Sequence, residues 1–163
     1  MLFRSFKDFI ARLSSSNGLQ GFEGNECQLA TAALLARVAT VDREMSEARR
    51  EKICALMKAQ FGLDDVAVAQ LVHDAIEAAG SAVDLYHFTH QLNGVLDDTG
   101  RQSAVRMMWQ IVYVDGPAND FESNIIWRTA DLLGVSSRQR IELRQLVAAD
   151  MTARNQGVVL NAG

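Results

Sequence analysis

Leu34-Leu35-Ala36-Arg37-Val38-Ala39-Thr40-Val41-Asp42 and Met107-Met108-Trp109-Gln110-Ile111-Val112-Tyr113-Val114-Asp115 share one apolar pattern at a constant offset of 73 residues, and both end in Val-Asp. The same offset sets Ile53 on Ile126, and Gly62 falls on Gly134 after a one-residue deletion. Two copies of a helix-turn-helix unit are too few for an open array, so the repeat implies a pseudo-symmetric bundle.

Around this repeat, apolar residues return every three or four positions, Pro117 is the one proline, and Ala, Leu, Glu and Arg are plentiful. The reading is all-α, with seven or eight helices in two related halves. Leu2, Phe3, Phe6, Phe9, Ile10 and Leu13 form a stripe that predicts an amphipathic helix over 2–13, and the Gly- and Ser-rich segment 14–24 predicts a linker. Further helices are expected from about Asn25 to Val41, from Ser46 to Phe61, from Asp64 to Gly80 and from about Val83, capped by Asp84, to Leu96. Thr99 with Gln102 and Ser136 with Gln139 fit the capping box, and Asn119 is the expected cap of the helix between them. The domain is thus expected over 25–151, with 152–163 a frayed tail.

The chain has 163 residues, enough for one core, and its 48% hydrophobic and 22% charged residues are ordinary for a globular protein. A net charge of −4 offers no basic field for a phosphate backbone, so nucleic acid is not an expected partner. Leu29 to Ala36 is far shorter than the roughly 20 apolar residues of a membrane span. The N-terminal MLFRSFKDFIARL lacks the apolar core of a signal peptide, and Cys27 and Cys54 show no metal or disulfide spacing, so a cytoplasmic location is expected.

The stretches V-D-R-E-M-S-E-A-R-R at 41–50, D-L-Y-H-F-T-H-Q-L-N at 84–93, W-Q-I-V-Y-V-D-G-P-A-N-D-F-E at 109–122 and R-T-A-D-L-L-G-V-S at 128–136 resemble the TerB-like family of tellurite-resistance proteins over about residues 25–150. The resemblance implies an all-helical domain with an Asp-Gly dipeptide in each half, a Glu seven residues after each Asp, and a divalent-metal site built from these acids. The second half carries the pattern as Asp115, Gly116 and Glu122; in the first, Arg43 and Arg49 stand in place of the Gly and the Glu. Asp42, Asp115 and Glu122 are therefore the candidate ligands, for Ca²⁺ or Mg²⁺ held weakly, with Arg49 expected as a tethered counter-ion. The function implied is a non-enzymatic metal-binding or interaction module of a stress response, with a protein partner.

Each of these residues also has a structural reading. Asp42 and Asp115 lie at helix C-termini, where the macrodipole disfavours an anion, and Asn119-x-x-Glu122 is itself a helix start. Asp84, His87 and His90 share a helix face that could offer imidazoles to zinc, but no second such motif completes a site; the histidines are expected to be partly buried. No catalytic motif occurs, Cys54 is expected on an inner helix face, and Trp109, Trp127, Met107, Met108 and Phe88 are expected in the core. Two other classes stay open. One is a peripheral membrane adaptor at the inner membrane using residues 2–13, whose helix could instead pair in a homodimer; the other is a small metal-dependent enzyme using the three acids.

Overall fold

A computed structural model describes residues 20–81 and 85–161. It contains seven α-helices among the described residues: α1 Gln20–Ala39, α2 Glu47–Phe61, α3 Asp65–Gly80, α4 Leu85–Asn93, α5 Asp98–Val112, α6 Asp120–Leu132 and α7 Ser137–Asn161, with a 3₁₀ turn Tyr113–Asp115 after α5. The fold is an all-α bundle, and none of these helices is long and apolar enough to cross a membrane.

The sequence offset reappears in the helix register. Counting 73 residues on from Glu47, the first residue of α2, gives Asp120, the first of α6; counting 72 on from Asp65, which opens α3, gives Ser137, which opens α7. The halves are thus α1–α2–α3 and α5–α6–α7, with α4 an additional helix between them. The first helices of the halves, α1 and α5, pack on each other at the centre. From Ala30 to Ala36, α1 is buried on every side, as expected of a helix that is apolar all round. In the other half Met108, Trp109, Ile111 and Val112 are almost fully buried.

Local chemistry accounts for the boundaries. Ser46, Asp64 and Asn119 cap α2, α3 and α6, each accepting from the backbone N–H three residues on. Ser136 and Gln139 form the reciprocal box that opens α7, with both backbone-to-side-chain bonds at 3.1 Å. Gly62 and Gly134, related by the repeat, both end their helices in the left-handed region, with φ of 63° and 73°.

Several expectations are corrected. Thr99 does not cap α5; Asp97 does, accepting from Gly100 N at 2.8 Å, while Arg101 Nε holds the Leu96 carbonyl at 3.1 Å and so anchors an earlier start. The close fit of Leu96 against Gly100, where an added Cβ would stand 3.1 Å from Leu96 Cδ2, suits that start. Helix α1 begins at Gln20, inside the expected linker, and α7 runs on to Asn161, because Ala, Arg and Gln sustain a helix without an apolar period. Helix α4 is shorter than expected, and α3 includes Gly80 and is capped by Ser81. Trp127 is 46% exposed, its ring lying 5.9 Å from the Arg140 guanidinium, and His73, His87 and His90 are exposed rather than partly buried. Cys54 is half-buried at the edge of the core. The helix expected over 2–13, residues 14–19 of the linker and the Asp84 cap lie outside the described residues.

Replacing Asp97 by Ala should lower stability by about 1 kcal/mol, whereas Thr99→Ala should leave it within about 0.5 kcal/mol. Urea midpoints of the two variants check the assignment.

Candidate functional site

The turn after α1 and the 3₁₀ turn after α5 place Asp42 and Asp115 at the negative ends of the two central helices, so each carboxylate needs a donor. Each finds it in the other half. The Ser46 hydroxyl, which caps α2 by accepting from Arg49 N at 3.1 Å, donates to Asp115 Oδ2 at 2.8 Å. The Asn119 side chain, which caps α6 by accepting from Glu122 N at 2.8 Å, donates through Nδ2 to Asp42 Oδ2 at 2.5 Å. Ser46 and Asn119 correspond at the offset of 73, as do Asp42 and Asp115. The two bonds are therefore one cross-brace, repeated by the pseudo-twofold.

Arg49 and Glu122 are also mates under that offset, and they meet. Both are buried, at 1% and 0% exposure. Arg49 Nη2 donates to Glu122 Oε2 and to the Val112 carbonyl at 3.3 Å, and Nη1 donates to the Ala39 carbonyl at 3.0 Å. Ala39 and Val112 are the last residues of α1 and α5 and again lie 73 apart. One guanidinium thus caps the negative ends of both central helices while pairing with a buried carboxylate. Its Nε lies 3.2 Å from Asp115 Oδ2, an ion-pair distance, although its N–H has no hydrogen-bond partner. Glu122 Oε1 accepts from Asn119 N at 3.1 Å, completing the capping box of α6. Arg43 lies over the same group, with Nε 3.5 Å from Asp42 Oδ1 and Nη2 4.0 Å from Glu122 Oε1.

The three candidate ligands are therefore brought to one interface, but interleaved with two arginines. Their oxygens do not all come within 4.8 Å of one another; among the described residues the set that does is His73, Asp74 and Glu77. A hard divalent ion needs six or more oxygens at about 2.0–2.6 Å. As arranged, Asp42, Asp115 and Glu122 do not fit one. The α3 set is exposed on a single helical turn, with Gln70 Nε2 donating to Asp74 at 2.9 Å and His73 3.5 Å from Glu77, an ordinary solvated face. The His90 ring stacks on Tyr86 with centroids 5.6 Å apart.

A second feature escaped the sequence reading. Arg37 in the last turn of α1 and Val41 in the turn after it, Leu85 and Tyr86 at the start of α4, and Asp120, Phe121, Asn124, Ile125, Arg128 and Leu132 of α6 line an open cleft of about 710 Å³. Tyr86 and Phe121 stand on it 60% and 66% exposed. Arg37 Nη1 donates to the Ala79 carbonyl at 3.2 Å, while Arg128 has no carboxylate within 4.0 Å among the described residues. No sequence period points to such a site, because it is assembled from the end of α1, the start of α4 and one face of α6; an aromatic off the buried stripe, such as Phe121, was the available hint.

Fold and site together define a pseudo-symmetric helical module whose paired Val-Asp turns brace each other across a buried ion pair. The family model described as Tellurite resistance protein TerB matches residues 28–145, and the chain belongs to that family. No curated protein and no solved structure matches the chain.

Glu122→Gln should destabilise the protein by up to about 3–5 kcal/mol, because it leaves the buried Arg49 charge with only the partly exposed Asp115 as counter-charge. A double variant, Arg49→Met with Glu122→Gln, should recover none of that loss, because Asp115 and the carbonyls ending α1 and α5 then lack their cation; urea unfolding of both variants and the wild type measures it.

Proposed function

We propose that this TerB-family chain is a non-catalytic binding module of a tellurite-resistance-type stress response, and that the cleft between α1, α4 and α6 takes an acidic, partly apolar segment of a partner protein. The observation that carries this reading is the placing of Arg37 and Arg128 among Tyr86, Phe121 and an apolar floor. In a chain of net charge −4, two guanidiniums beside exposed aromatic rings select carboxylates flanked by apolar side chains. Asp120, in the first turn of α6, interacts favourably with that helix's positive end and so opposes such a ligand less than a free carboxylate would. The chain's own residues 1–13 suit the cleft poorly, since Arg4, Lys7 and Arg12 against Asp8 give them the sign of the two arginines.

The absence of catalysis is supported by how the reactive groups are used. Asp115 and Glu122 are engaged with arginine and with helix caps, and Asp42 with Asn119 and Arg43. Burial raises the thiol pKa of Cys54 and of Cys27, away from the thiolate a nucleophile requires. The stress-response context is supported by the family description. The membrane-adaptor reading and the homodimer rest on residues 2–13, outside the described residues.

The test is fluorescence anisotropy with a labelled helical peptide bearing Leu and Phe on one face and Glu on the other, beside a twin with Lys in place of Glu. The Glu peptide should bind, more weakly as salt rises, and Arg128→Glu should weaken it by about tenfold or more. Equal binding of the Lys twin, or a Glu peptide indifferent to Arg128→Glu, would contradict the assignment.

A further inference from the structure

We infer that the Arg49 guanidinium, with Arg43 beside it, replaces a divalent cation between the two halves, so that this chain is held together by a tethered cation and is independent of metal. Symmetry sets this arrangement, whether or not the cleft binds a ligand. Residues related by a pseudo-twofold and close to its axis meet their own equivalents. Positions 49 and 122 are such a pair, and their side chains touch. Identical charges at the two positions would be buried against each other, which needs an added counter-ion. Arg at one position and Glu at the other removes that need.

The surroundings show that the guanidinium takes a cation's place and not merely one carboxylate's partner. Arg49 collects the terminal carbonyl of α1, the terminal carbonyl of α5 and the Glu122 carboxylate, and it lies 3.2 Å from Asp115. These are carbonyl and carboxylate oxygens of the kind a hard cation gathers. The third acid, Asp42, is met by Arg43, with Nε 3.5 Å from its Oδ1. The capping serine and the capping asparagine complete the pattern. Ser46 stands three residues before position 49 as Asn119 stands before Glu122, so a carboxylate at position 49 could form the same capping box that Glu122 forms now.

Three proteins test the inference: the wild type, Arg49→Glu, and the charge exchange Arg49→Glu with Glu122→Arg. Each is melted in chelator and in millimolar Ca²⁺ or Mg²⁺, and each is titrated calorimetrically with the same ions. The wild type should melt at one temperature in all conditions and bind either ion with a dissociation constant of about a millimolar or weaker. Arg49→Glu should melt lower in chelator and be raised by the ions, by linkage. The exchange should regain most of the lost stability without metal, because it carries the ion pair across the axis and moves the capping box from α6 to α2. Wild-type binding much tighter than millimolar, or wild-type melting that falls in chelator, would overturn the inference. So would a folded Arg49→Glu that ignores both ions, or an exchange variant no more stable than Arg49→Glu. If Arg49→Glu does not fold in any condition, the wild-type titration and the exchange decide.

Discussion

The contact on which the rest of this bundle depends is that of the Arg49 guanidinium with Glu122 and with the carbonyls that end α1 and α5. Two apolar helices crossing at the centre bring their negative ends close together, and the turns that follow add Asp42 and Asp115 to the same region. Hydrophobic burial favours the crossing, whereas electrostatics opposes it unless a positive charge lies where the four negative groups converge. A buried arginine meets that constraint because its planar fork can serve several acceptors at once, which the compact ammonium of lysine could not do in the same geometry.

This contact also bears on the cleft. Arg37 and Val41 flank the Ala39 carbonyl that Arg49 holds, and Phe121 adjoins Glu122. The cation therefore ties the end of α1 to the start of α6, both of which contribute to the cleft wall. The Ser46–Asp115 and Asn119–Asp42 bonds repeat the restraint on both sides of the axis. The face proposed to take a partner is thus held in part by this internal network, which would lower the ordering cost of binding.

Much of this was legible in the chain. The Val-Asp repeat gave the two halves, and Ser46, Asp64, Asn119 and Ser136 marked helix starts because a short side-chain acceptor before a helical run has one efficient use. The family resemblance also singled out Arg49, as the cation standing where that pattern has a glutamate. What could not be read was the outcome of local competition and of assembly. Asp97 and Thr99 both precede a helical pattern, and the Arg101 bond to Leu96 favours Asp97. Trp127 adjoins buried Ile126 in sequence yet lies off the buried stripe of its helix, where the Arg140 guanidinium packs near its ring. The reciprocal pairing of caps with acids across the axis, and the cleft, depend on how separate helix ends meet, which no single-helix pattern encodes.

The most direct measurement of the central claim is the nitrogen-15 NMR spectrum of the arginine side chains of the intact protein, recorded in chelator and again with millimolar Ca²⁺. A guanidinium fixed by carbonyls and a buried carboxylate should give Arg49 separate, slowly exchanging Nη signals that are identical in both conditions. Averaged, rapidly exchanging Arg49 signals in chelator, or signals displaced when Ca²⁺ is added, would show that a mobile or metal-displaced side chain occupies this position, and would contradict the account.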